Sequence, residues 1–187
     1  MSLLAILLIA AAPAGDIGVH GDLILAQQLE DGAIIHAQNG DNIAILPYHG
    51  NYAALGLFTA YRTTGDAKYL EGANRWTDWY LEHVDHTGFI SNYAGTRDHY
   101  AATESNGLSI PSAATFLKCA SMRRMLTHDD RFIMREKGKL SAVYHHMMDE
   151  QDVDGLVPVS PVENIKLTLH NAEVYDALEY AKRLAHA

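Results

Sequence analysis

The feature that most constrains this chain is an internal repeat. Thr64-Gly65-Asp66 opens a helix predicted to run to about Val84, and the turn Asp85-His86-Thr87-Gly88 ends it. His128-Asp129-Asp130 opens a second helix of the same kind, predicted to run to about Glu150 and closed by Asp152-Val153-Asp154-Gly155. From Asp66 to Asp130 is a step of 64 residues, and from Gly88 to Gly155 one of 67. A third copy of the exit turn, Glu30-Asp31-Gly32-Ala33-Ile34, follows a short helical run from Leu23 to Leu29. In the first of these helices Tyr69, Ala73, Trp76 and Tyr80 fall on one side at helical spacing, while Lys68, Glu71, Asp78 and Glu82 fall on the other. Such a helix lies on the outside of a core, with Thr or Asp capping its first amides.

A helix of different character precedes each outer one. Tyr52 to Tyr61 and Ala113 to Met122 are apolar nearly all round, and a third such run starts near Leu169 and continues through Val174, Leu178 and Leu184. A helix without a polar face is a buried helix. The repeating unit is therefore an inner helix, a tight turn, an outer helix, an Asp/Gly exit and a long loop. Strand signals are brief, at Gly88–Tyr93 and Gly155–Val159, and predict short hairpins at most. The expected fold class is all-α, in a single domain over residues 15–187.

The chain has 187 residues, enough for one domain with a real core. A formal net charge of -9 argues against nucleic acid as a partner, because an acidic surface repels phosphate backbones. Neutral or cationic ligands suit it better. The lone cysteine, Cys119, excludes an internal disulfide and a cysteine-based zinc site, and its apolar surroundings read as core. The apolar run Leu3–Ala12 followed by Ala12-Pro13-Ala14 reads as an export signal over residues 1–14, although it lacks a preceding Lys or Arg. A secreted or periplasmic location follows from that reading; a cytoplasmic one follows if the run is an apolar first helix. The run is too short to span a bilayer.

Three stretches carry a resemblance. Ile45-Leu46-Pro47-Tyr48-His49-Gly50-Asn51-Tyr52, with Tyr61 to Asp66 and Tyr69-Leu70 after it, resembles the six-hairpin glycosidase superfamily, as do Thr103-Glu104-Ser105-Asn106 and His170-Asn171-Ala172-Glu173-Val174-Tyr175. The similarity runs over most of residues 20–187 and lies in ordered repetition. It implies an α/α toroid of helical hairpins, of which this chain supplies about three of six, completed by a missing C-terminal half or by a homodimer. It also implies an oligo- or polysaccharide substrate and no cofactor, but does not choose among hydrolase, polysaccharide lyase and sugar epimerase. A non-catalytic binding module or an inactive fragment is the rival reading. A TPR-like scaffold, with repeats of about 34 residues, fits the alternation of buried and amphipathic helices less well.

In such a toroid the loops entering the inner helices converge, so their polar residues are the site candidates. Glycoside cleavage needs two carboxyl groups, one to protonate the leaving oxygen and one to activate water or attack carbon, about 5 to 10 Å apart. Glu104 and Asp41 are the expected catalytic pair, each shortly before an inner helix; Glu104 reads equally well as a helix cap. Tyr48, His49, Asn51, Asp98, Tyr100, Asn106, Glu163, His170 and Asn171 are the expected substrate-binding residues. Tyr93 could add a stacking face, whereas Trp76 and Trp79 read as core. His49, His99 or His170 could serve as base in an epimerase or lyase. Eleven histidines show no His-Glu-x-x-His spacing, so no metal is expected, and no phosphate-binding glycine loop or Gly-x-Ser-x-Gly elbow is present.

Overall fold

The computed structural model describes residues 14–103 and 106–185. The proposed export signal, apart from Ala14, and Glu104 lie outside the described residues. Among the described residues six helices form: α1 (Ala14–Ala26), α2 (Pro47–Thr64), α3 (Ala67–His83), α4 (Ser109–Thr127), α5 (Asp130–Met148) and α6 (Thr168–Ala185). Four short strands accompany them: β1 (Ala37–Asn39), β2 (Asn42–Ile45), β3 (Tyr93–Thr96) and β4 (Tyr100–Ala102). Among the described residues no helix is long and apolar enough to cross a membrane.

The helices follow the sequence pattern. Pro47 sits in the first turn of α2, where its missing N–H costs nothing, and Gly65 closes the helix in the left-handed region. Asp66 and Asp129 cap α3 and α5 by accepting from the amides of Lys68 and Arg131. Helices α2, α4 and α6 are neighbours in that order, with α3 packed on α2 and α5 on α4, while α1 packs on α2 and α3. Helix α4 is the most enclosed, with an unbroken buried run from Ser109 to Leu117.

The expectation of an all-α chain is overturned. The four strands form one antiparallel sheet in the order β1-β2-β3-β4. Its material is the two long loops before α2 and α4, which pair with each other instead of covering the helices irregularly. Asn39 pairs with Asn42 across a two-residue turn in which Gly40 takes a positive φ of 59°. Ile43 and Ile45 then alternate into the core. Strand β2 pairs with β3 from Asn42↔Thr96 to Ile45↔Tyr93, binding the first loop to the second. The fold is therefore mixed, helices plus a sheet. Of the two expected strand signals, only Tyr93 falls inside a strand; Gly155–Val159 is outside the named strands.

The core is aromatic. Trp76, Trp79, Tyr80, Phe58, Phe116 and Phe132 are fully buried. The Tyr80 and Phe116 rings stack at 3.8 Å between centroids, joining α3 to α4. The exit turn after α3 is fixed by the Asp85 carboxylate, which accepts from the amides of Thr87 and Phe89. Gly88 in this turn has φ 86°, and a Cβ there would collide with the Ala142 carbonyl of α5. Gly88→Ala is therefore expected to destabilise the fold by about 2 kcal/mol or more, since backbone strain and a backbone clash combine. Chemical denaturation would show this as a lower midpoint at unchanged slope.

Candidate functional site

A polar cluster is built where the N-terminus of α2 meets the N-terminal half of α6. Tyr48 and Tyr52 are four residues apart on α2 and so share one face of that helix; His170 and Glu173, three apart, share one face of α6. The Tyr48 hydroxyl donates to Glu173 Oε1 at 2.7 Å, and the Tyr52 hydroxyl donates to the same oxygen. Tyr48 also meets Tyr52 edge-on at 5.3 Å, His170 edge-on at 5.7 Å and His49 at 5.4 Å. His36, just before β1, stacks on His49 with centroids 4.2 Å apart. The sheet makes this last contact: the His36 amide donates to Ala44 O, holding the chain before β1 beside the end of β2 that leads into α2.

The cluster holds unused hydrogen-bonding capacity. Glu173 Oε2, His49 Nδ1 and His170 Nδ1 are all shielded from solvent and have no hydrogen-bond partner among the described residues. His170 itself is only 6% exposed. Buried polar atoms of this kind are costly unless something supplies the missing bond, and a hydroxyl-rich ligand or water can do so. Burial, together with the hydrogen bonds to Glu173, pushes both phenols well above the ordinary tyrosine pKa, so Tyr48 and Tyr52 stay protonated donors. Burial pushes His36 below the ordinary histidine value; burial, then its neighbour His36, does the same for His49.

These histidine shifts have a sign for stability. As pH falls through 6.5 the unfolded chain takes up protons first, because the folded histidines resist charging, so the native state loses stability on acidification. Thermal melts at pH 7.5 and 5.5 are expected to show a lower midpoint at the acid pH. His36→Asn together with His49→Asn should narrow that gap.

The structure places the expected site residues in three settings. Tyr48, His49 and His170 belong to the cluster. Asn51, Asn106, Asn171 and Tyr100 are engaged in fold-holding bonds. Asn51 is fully buried; it donates to Ser112 O and Thr115 Oγ1 and accepts from Trp76 Nε1. Asn106 donates to Ile90 O, and Asn171 bonds both the amide and the carbonyl of Val157. Tyr100 accepts from Trp79 Nε1 and donates to the Asp31 carboxylate, pinning the sheet to the first exit turn.

Asp41, Asp98 and Glu163 are exposed. Asp41 lies in the β1–β2 turn and Asp98 in the β3–β4 turn. The pairings Asn39↔Asn42 and Gly95↔Tyr100 put both turns at one end of the sheet. His36 and the entry to α2 are at the other end, about 10 Å away at the rise of a four-residue strand. Glu163 faces Gly107, where an added Cβ would come within 3.5 Å of its carboxylate. Residue-by-residue reading missed Glu173, Tyr52 and His36 as site members. The i, i+4 tyrosines and the i, i+3 His-Glu pair carried the signal for the first two, whereas His36 arrives only through strand pairing. Among the described residues no group of three or more His, Cys, Asp or Glu side chains is arranged to hold a metal ion. No protein-family model and no curated protein matches this chain.

Proposed function

We propose that this chain is a carbohydrate-active protein, akin to the six-hairpin glycosidases it resembles, with its acid–base chemistry centred on Glu173. The observation that carries this reading is the Glu173 carboxylate, with one oxygen saturated by two phenol donors and the other buried without a partner. A sugar hydroxyl donates to the open oxygen, and the Tyr48, Tyr52 and His49 rings supply apolar faces for a pyranose. Glu173 then takes or gives a proton, and His170 or His49 acts as its counterpart.

This donor set favours proton transfer at a sugar carbon, as in an epimerase or lyase, over glycosidic hydrolysis. Hydrolysis asks for a second carboxyl group opposite the first. Asp41 and Asp98 stand at the far end of the sheet, and Glu104, the acid expected from the sequence for that role, lies outside the described residues. A panel of neutral and uronic oligosaccharides incubated with the chain in D₂O separates the readings. Deuterium at a ring carbon supports an epimerase; new reducing ends matched by unsaturated uronates, without ring deuterium, support a lyase; new reducing ends with neither support hydrolysis. No binding and no turnover across the panel would sink the carbohydrate reading.

A further inference from the structure

The Glu173 carboxylate has no counter-charge. Among the described residues no lysine, arginine or histidine bonds it, and both of its hydrogen bonds come from neutral phenols. Lys118 of α4 does meet α6, but one turn further on, where it pairs with Asp176. The rings beside the carboxylate do not offset its charge either. Burial keeps Tyr48 and Tyr52 protonated, and it holds His36 and His49 below the ordinary histidine value, so that both are uncharged at neutral pH.

The hydrogen-bond count points the same way. A phenol has one proton to donate, and both phenols direct theirs to Oε1. The acceptor left over is Oε2, with the Nδ1 atoms of His49 and His170 beside it in the cluster. A ligand group that satisfies Oε2 must bring protons. A sugar hydroxyl does so, and so does a sugar ammonium. The carboxylate of a uronic acid brings none and adds a second negative charge.

The charge and the rings decide between hydroxyl and ammonium. A hydroxyl bonds the carboxylate but leaves its charge uncompensated, whereas an ammonium does both. Tyr48 stands edge-on to Tyr52 at 5.3 Å and to His170 at 5.7 Å, with His49 at 5.4 Å. Tyr48, His49 and Tyr52 are half-buried, so part of this aromatic surface is open. Ring faces attract a cation within about 6 Å of their centres and give a hydroxyl no such gain.

We infer that the Glu173 cluster holds its ligand through a protonated amine, which makes its substrate class the amino sugars with a free amine. Oε2 is shielded as the side chain stands, and the soft last torsion of glutamate lets the carboxyl turn to meet an amine entering between the half-buried rings. The sugar part of this inference rests on the carbohydrate reading; the ammonium part rests on the cluster alone.

Calorimetric titration of the full chain with short oligomers of glucosamine, N-acetylglucosamine, glucose and glucuronic acid tests it, with tetramethylammonium as a probe of charge without sugar. The glucosamine oligomer is expected to bind at least about tenfold tighter than the glucose oligomer, and the glucuronic acid oligomer most weakly. In Glu173→Gln, with circular dichroism as the check on folding, the glucosamine and glucose oligomers should bind within about twofold of each other. A second measurement needs no variant: raising the pH until the ligand's amine loses its proton should weaken glucosamine binding and leave glucose binding in place. Glucose or N-acetylglucosamine oligomers that bind as tightly as glucosamine overturn the ammonium site and leave the carbohydrate reading standing. Tetramethylammonium bound with no sugar bound supports the ammonium site and overturns the carbohydrate reading. No binding of any probe overturns both.

Discussion

Trp76→Ala is expected to cost this fold about 3 to 5 kcal/mol, a large share of the 5 to 15 kcal/mol that a domain has. The indole is fully buried and stacks on Trp79 at 4.9 Å, so its removal leaves a cavity between α2 and α3. It also takes away the donor to Asn51 Oδ1, in a network that runs on to Ser112 and Thr115 on α4. Trp76→Phe separates the two effects. It keeps much of the volume but orphans Asn51 Oδ1, for an expected loss nearer 1 to 3 kcal/mol. Urea titrations of both variants measure this; near-equal midpoints for wild type and Trp76→Ala would show that the three-helix junction is not where the stability resides.

Glu173→Gln carries the largest expected effect on activity. Glutamine retains the shape and an oxygen to accept from Tyr48 and Tyr52, but it cannot hold or release a proton near neutral pH. Turnover of whichever sugar the panel identifies should fall by about 10² to 10⁴, the usual worth of a positioned acid or base. KM should rise as well, because the amide nitrogen that replaces the open oxygen cannot accept from the sugar hydroxyl, although the ring faces and phenols remain. Tyr48→Phe should cost less, since Tyr52 still donates to the same oxygen. A Glu173→Gln protein with wild-type kcat would remove Glu173 from the chemistry. Unchanged turnover in Glu104→Gln would likewise remove Glu104.

What could be read from the sequence follows the range of the forces involved. Helices announce themselves locally, through caps such as Asp66 and Asp129 and through the apolar stripe of α3. Helices α2 to α6 therefore fell where the periodicity placed them, with α2 and α4 extending beyond their apolar runs, but α6 is not the buried helix expected, since Leu169 and Tyr175 are 64% and 69% exposed. The sheet did not, because strands of three or four residues hold too little pattern, and β2 meets β3 only across the whole first hairpin. The Asn39-Gly40 turn and the brief strand signal that ends at Tyr93 were the local clues to it.

At the site, sequence order was a good guide to Tyr48, His49 and His170, which enter inner helices. It was a poor guide to polarity with a purpose. Asn51, Asn106 and Asn171 stand in the same entries, yet their amides close hydrogen bonds within the core. The acid at the centre of the cluster, Glu173, stands inside a helix and not in the loop before it. It becomes conspicuous only when the α2 tyrosines converge on it.

The β2–β3 ladder also sets an order of events during folding. Hairpin α2–α3 contains mostly local contacts and can close early, but Ile45 reaches Tyr93 only after that hairpin has compacted the chain between them. The His36–His49 stack does not wait for that step, because the His36 amide bonds Ala44 O within the local β1–β2 hairpin. On a ribosome, the first hairpin would emerge and pack while β2 still waited for its partner strand. The late zipping of β2 onto β3 is what ties the loop before α2 to the loop before α4.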